Sequence, residues 1–377
     1  MSTVSPAMAL PRDQAMFRRA AIIVGALTIL RLIGLYFSQV DLFFDESQYW
    51  SWSRDLAFGY FSKPPLLAWV IAAAEHVCGS SEVCVRAPSP LLHFGVSLAA
   101  FGIGHALYDA RTGFWAAMLT ALGTGTVFSA RIISTDVPLT FFWAVALFAY
   151  VHLCRRADWR WAVVLGVAFG AGLLAKYAMI YFVAGIALAG FVDKSSRAVL
   201  RTPQLWLAFA VALVTISPNV VWNTANGFLT LRHAGNAVVG EEITPSVTRP
   251  LEFLASQFGV FGPVVFGIAL AAMLRISSPL LRSTDRMLLA FAITPLVVVT
   301  ATASVVHAYA NWAAASFVSL AVLAAAIMVR GNWRFLLWLS VAIGVLAQVV
   351  LTGADAMATQ VDILLPDINP YYRTLGW

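Results

Sequence analysis

The chain has 377 residues, 60% of them hydrophobic and only 11% charged, with a formal net charge of +6. A soluble domain carries about 25% charged residues, whereas here apolar runs long enough to cross a hydrocarbon core of about 30 Å recur from end to end. The basic residues lie in short clusters between those runs, with no basic face or nucleic-acid motif, so the charge reads as a topology signal and excludes nucleic acid as a partner.

The first 18 residues are polar and form a tail. Arg12, Arg18 and Arg19 then precede the apolar run 20–37. That run is too long for the apolar region of a signal peptide and no small-residue cleavage site follows it, so it reads as a retained signal-anchor helix. Next comes an unusual stretch. Asp41, Asp45, Glu46, Tyr49 and Trp50 are followed by Lys63, Pro64 and Pro65, where a membrane protein would otherwise have a short turn. An acidic pair at the mouth of a spanning helix is costly unless solvated or paired, which makes it a functional candidate. An N-cap in a solvated loop is the alternative. The segment 65–78 is apolar but short and follows two prolines, so it reads as interfacial rather than spanning. Glu46–Leu56 is expected as a first interfacial helix and Pro65–Val77 as a second.

Spanning helices are expected near 19–39, 86–107, 113–131, 137–154, 160–175, 177–192, 204–222, 253–274, 287–306, 311–329 and 334–353, eleven in all. The architecture is therefore an all-α polytopic membrane protein. It has a membrane domain over 19–353, long loops at 40–85 and 223–252, and a short tail over 354–377. One set of connecting loops holds fifteen Lys and Arg and the opposite set eight, with Arg31 inside the first span accounting for the last of the 24. The richer side is expected to be cytoplasmic. This puts the N-terminus inside, and the Asp45 stretch and the C-terminus outside. Counting 65–78 as a span would invert every later loop and destroy the asymmetry. Cys78 and Cys84 fall in an outer loop, where a disulfide is permitted, and their spacing closes a small ring. Two free thiols are the alternative.

The outer side also collects the polar candidates: Asp41, Asp45, Glu46, Tyr49, Lys63, Arg86, Arg131, Asp136, Lys176, Arg232 and His233. Asp45 and Glu46 are adjacent on a helix and point about 100° apart, so they cannot form a facing pair. Asp136 opens the fourth span and has capping as its bland reading. Lys176 has snorkelling as its own. Acids and cations gathered at one membrane face suit a transfer reaction. A carboxylate takes a proton from an acceptor hydroxyl, and cations stabilise a phosphate leaving group. No P-loop, dinucleotide fingerprint or zinc-ligand pattern is present. No soluble cytoplasmic domain offers a nucleotide-sugar site, so a donor would be lipid-linked and reached from outside.

The order Phe44, Asp45, Glu46, Tyr49, Trp50, then Lys63, Pro64, Pro65, then Val85 and Arg86, then Asp136 and Pro138 resembles the membrane glycosyltransferases of the GT-C class. It is most similar to the bacterial protein-mannosyltransferase-like and aminoarabinose-transferase-like branch. Trp222, Asn223, Gly227, Phe228, Arg232, His233, Asn311 and Trp312 extend the likeness over nearly the whole membrane region. The resemblance implies a helical bundle with two interfacial helices in the first outer loop and a cavity open to the periplasm. It implies inverting transfer of a sugar from a polyprenyl-phosphate carrier to a lipid, glycan or protein, in the bacterial inner membrane. By position, Asp45, Glu46 and Asp136 match the acidic catalytic positions and Lys63 the phosphate-contacting lysine. Tyr49, Arg86, Arg131, Lys176, Arg232 and His233 are further substrate contacts.

Two departures stand out. Ser62 occupies a place where the aminoarabinose-transferase pattern often has Glu, so no metal or other cofactor is expected. Relatives also commonly continue beyond a Gly-Trp such as Gly376–Trp377 into a soluble domain. The rival reading is a transporter or flippase, which would place ionisable groups near the midplane on broken helices. Convergence of the acids and Lys63 at one outer interface would favour the enzyme.

Overall fold

The computed structural model describes residues 10–239, 245–364, 371 and 374. Gly376 and Trp377, which entered the reading above, lie outside them. Among the described residues every regular element is helical. Six helices among these residues are long and apolar enough to span a membrane. They are Leu10–Phe37 (α1), Glu82–Arg86 running into Pro88–Leu107 (α4 and α5), Asp136–Arg155 (α8), Pro203–Ala225 (α12), Ser283–Ala303 (α16) and Arg334–Ala356 (α18). Shorter apolar helices complete the bundle: Trp159–Ala175 (α9), Tyr181–Val192 (α10) and Ser316–Arg330 (α17). The core lies where α5, Ala110–Ala121 (α6), α8, α10, α16 and α17 pack on one another, with Trp143, Tyr150, Phe182 and Phe291 fully buried. α9 joins this core through α8 and carries α12 on its outer side. Gly166 and Gly170 of α9 face α12 so closely that a Cβ at either would fall 2.5 Å from it, an approach only glycine permits.

Two expected spans are broken. The run 113–131 divides into Ala110–Ala121 (α6) and Thr124–Ser129 (α7), and the run 253–274 into Thr248–Val260 (α14) and Pro263–Leu274 (α15). Gly262 supplies a φ of +84° and Pro263 then starts the second half, the glycine taking a backbone form L-residues avoid. Inside a bilayer the peptide groups freed by a break need partners, and side chains supply them here. The Thr124 hydroxyl donates to the Gly259 carbonyl and, at 3.2 Å, to that of Val260. Arg31, buried in α1, donates at 2.6 Å to the carbonyl of Ala121 and at 2.8 Å to the amide oxygen of Gln348 on α18. The charge inside the first span thus serves a helix end rather than a transport path.

The two interfacial helices are Phe44–Ser53 (α2) and Leu66–Cys78 (α3), slightly displaced from the expected bounds. α2 is too short to hold itself as a helix and is fastened at both ends. At its start Glu46, 2% exposed, accepts two hydrogen bonds from Arg86 at 2.9 and 2.7 Å. It also accepts from the backbone N–H groups of Phe43 and Ile133, at 2.9 and 2.8 Å. Arg86 spends two of its three remaining donors on the carbonyls of Val40 and Asp41, both at 2.7 Å. At its end, Glu75 of α3 accepts from Trp50 Nε1 at 2.9 Å and Ser53 Oγ at 3.0 Å, and also from Ser80 Oγ at 2.8 Å. Cys78 and Cys84 form the expected disulfide across this corner. A buried ion pair that loses one partner leaves an uncompensated charge and costs about 3–5 kcal/mol. Arg86→Met is therefore expected to lower thermal stability in detergent by that order, and Arg131→Met, at a less buried pair, by less. Equal melting temperatures for Arg86→Met and the unaltered protein would refute the role given to this pair.

Candidate active site

Three junctions between helices meet beside α2. Asp136 is the first residue of α8, Lys176 follows the last residue of α9, and Asn311 sits in the 3₁₀ turn Ala310–Ala313 before α17. Lys176 Nζ lies 2.7 Å from Asp136 Oδ1, and Asn311 Nδ2 donates to Asp136 Oδ2 at 2.7 Å. Asp136 is buried, and Thr135 rather than Asp136 holds the N-cap position. Capping therefore does not account for this carboxylate, and neither does snorkelling for Lys176.

Asp45 and Lys63 complete the cluster. Asp45 is exposed on α2 and has no hydrogen bond or ion pair among the described residues. The Lys63 ammonium also lacks a hydrogen-bonded or ion-paired partner among them, although the residue is half-buried. Burial pushes its pKa down and the nearby Lys176 charge pushes it further, while Asp45 and Asp136 act the other way. Lys63 thus feels all three of the other charged groups. Tyr49, 3% exposed beneath α2, has its phenol pKa raised by burial and then by the charges of Asp45, Asp136 and Glu46, so it stays neutral.

The loop that carries Lys63 is docked on the far side. The Asn219 amide donates to the Phe58 carbonyl at 2.6 Å and Thr230 to that of Tyr60 at 2.6 Å. A Cβ at Gly59 would fall 2.3 Å from the Trp222 ring. The ring of His233 packs on Phe61 at 4.7 Å. Tyr177 donates to Asn219 at 2.9 Å and accepts from Asn223 at 3.1 Å, which locks the end of α12. Arg232 and His233 belong to Leu229–Val239 (α13), above this loop, with Arg232 exposed.

The structure therefore brings Asp45, Lys63, Asp136, Lys176 and Tyr49 together and sets Arg232 and His233 at the rim. Glu46 and Arg86 present no free group to the site, being buried against each other. Arg131 is engaged elsewhere, 3.1 Å from Asp355 of α18, which also accepts from Tyr371 at 2.9 Å. Asn311, Asp355, Asn219 and Glu75 escaped the sequence reading as site-forming residues. Only Asn311 carried a signal, as part of the family resemblance. Among the described residues no three His, Cys, Asp or Glu side chains group as metal ligands.

Known proteins share this arrangement of elements. Residues 62–222 match the family described as dolichyl-phosphate-mannose-protein mannosyltransferase. The lipid A galacturonosyltransferase RgtD of Rhizobium johnstonii is 34% identical over 351 residues, covering 93% of this chain and 73% of the relative. The lipopolysaccharide core galacturonosyltransferase RgtA of the same organism is 27% identical over 58% of this chain and 44% of its own. Among solved structures, ArnT from Cupriavidus metallidurans bound to undecaprenyl phosphate superposes with a TM-score of 0.69 at 18% identity. That match covers 93% of this chain, which spans 66% of the ArnT chain. An oligosaccharyltransferase from Archaeoglobus fulgidus superposes with a TM-score of 0.58 at 14% identity over 96% of this chain and 58% of its own. By sequence and by fold, the chain belongs to the GT-C class of membrane glycosyltransferases, in the ArnT-like branch.

Proposed function

We propose that this protein transfers galacturonate from a polyprenyl-phosphate carrier to a lipid A-type glycolipid at the periplasmic face of the inner membrane. The galacturonate is suggested by the relatives RgtD and RgtA, the lipid A acceptor by RgtD, and the carrier by the undecaprenyl phosphate of the ArnT structure. The observation that carries the reading is the pair Asp45 and Lys63, without partners among the described residues, beside a carboxylate and an ammonium that neutralise each other. In the reaction the acceptor hydroxyl oxygen attacks the anomeric carbon. The bond from that carbon to the phosphate oxygen breaks, and its electron pair leaves with the carrier phosphate. The acceptor proton passes to Asp45 as general base. Attack opposite the leaving group inverts the anomeric centre. Lys63 holds the phosphate and takes up the charge it gains. Glu46 and Arg86 hold α2 in place and Arg131 holds α18. No metal or other cofactor has a step in this scheme.

The decisive experiment is mass spectrometry of lipid A and core glycans from cells with and without the gene. Loss of a hexuronate from lipid A supports the reading, and loss from the core alone moves the acceptor there. An unchanged envelope overturns it. Asp45→Asn keeps the shape and removes the base, so transfer should fall about 10²- to 10⁴-fold with normal membrane insertion. A wild-type rate would remove Asp45 from the mechanism. For Lys63 the pH sign follows from its lowered pKa. Only the protonated amine binds an anion, so donor affinity should decline as pH rises, at a lower pH than for an ordinary lysine at about 10.4. Lys63→Arg should abolish that decline, and Lys63→Ala should weaken donor binding at every pH. An affinity independent of pH in the unaltered protein would contradict this placement.

A further inference from the structure

We infer that Asn311 is a positioning residue for the transfer, a neutral donor that keeps Asp136 oriented and available to Lys176 alone. The inference rests on the proposed transfer reaction and adds a residue to it. Three observations support it. First, the two oxygens of Asp136 are divided between two donors, Lys176 on Oδ1 and Asn311 on Oδ2, each at 2.7 Å. Second, Asn311 comes from an independently anchored element. Its 3₁₀ turn is tied to α14 by Gln257, 0% exposed, which donates to the Ala310 carbonyl at 3.1 Å. Third, Asn311 is an exposed residue while the carboxylate it donates to belongs to a buried one.

The chemistry of the position explains the residue type. Only a donor satisfies a carboxylate oxygen. A cationic donor at 311 would compete with Lys176 for Asp136 and leave one ammonium unbalanced near Lys63. A carboxylate would repel Asp136 unless the two shared a proton. An amide donates without changing the charge. The ammonium of Lys176 then remains held at Oδ1, within electrostatic reach of Lys63, and no charge is added to the site.

The test is steady-state transfer by the full chain in lipid vesicles, with a galacturonyl polyprenyl phosphate donor and lipid A acceptor, over about pH 5 to 8.5. Asn311→Ala is expected to lower kcat about tenfold, the size of a lost charge-assisted hydrogen bond, with donor KM nearly unchanged. Asn311→Asp is expected to be worse at neutral pH, by about 10- to 100-fold. Its activity relative to the unaltered protein should recover as pH falls, because two adjacent carboxyls then share one proton and restore a neutral donor. A merely structural turn residue would give no such acid recovery. The inference is overturned if Asn311→Ala keeps wild-type kcat, if its loss lies wholly in donor KM, or if the Asn311→Asp ratio is flat with pH. Because Asn311 is exposed, neither variant disturbs the core. Should Asn311→Asp fail to insert, the kcat and KM of Asn311→Ala decide alone. No transfer by the unaltered protein would instead count against the proposed reaction, which keeps the two failures apart.

Discussion

Everything at the site depends on the burial of Glu46 against Arg86. Asp45 and Glu46 are neighbours in sequence and would be interchangeable in a loop. Once Glu46 is buried with all four of its hydrogen bonds made, the helical step of about 100° per residue swings Asp45 out of that interface. A fixed inner carboxylate thus dictates an exposed outer one. The same pair also joins distant segments, since Arg86 opens the second span and the Ile133 N–H belongs to the turn that leads into Asp136. Glu46 therefore sets where Asp45 points and also ties α2 to the element that bears the second acid.

The second constraint is electrostatic. Charges near a low-dielectric boundary interact far more strongly than in water, so their number and pairing decide what the site accepts. Asp136 and Lys176 cancel. Arg86 is cancelled by Glu46 and Arg131 by Asp355. What remains at the centre of the cluster is Asp45 and Lys63, one acidic and one basic side chain without partners among the described residues, with Arg232 exposed at the rim. A phosphate-linked donor needs a cation, and a hydroxyl acceptor needs a proton acceptor. The site retains one of each and silences the rest.

How much of this was legible in the sequence follows from the range of the interactions. Apolar runs and flanking arginines act over one helix each, so the bundle, the two interfacial helices and the bond between Cys78 and Cys84 could be read from the chain. The breaks at Gly123 and Gly262 could not, because a glycine inside an apolar run reads as a span until the opposing element is known. Here the two breaks face each other through Thr124 and the carbonyls of Gly259 and Val260. Pairing was equally hidden. Arg86, Arg131 and Lys63 look alike as cations at helix mouths, and only the fold shows that Glu46 and Asp355 occupy the first two. Asn311, 175 residues from Asp136, had no local signal of its own.

The site is assembled from helix ends, and the membrane explains why. A bilayer tolerates ionisable groups and unpaired peptide groups only near its surfaces or in protein-lined cavities. Asp136 begins a helix, where the N-terminal dipole favours a carboxylate. Lys176 ends one, where the C-terminal dipole favours an ammonium. Placed side by side, the start of α8 and the end of α9 stabilise an acid and a base that then stabilise each other. The short helices α2 and α3 extend the same logic outward. Neither could stand alone, yet each end of α2 is fastened by a glutamate, Glu46 to the bundle and Glu75 to α3. Rigidity at both ends leaves Asp45 fixed in space while its carboxylate stays open, which is the condition a proton acceptor must meet.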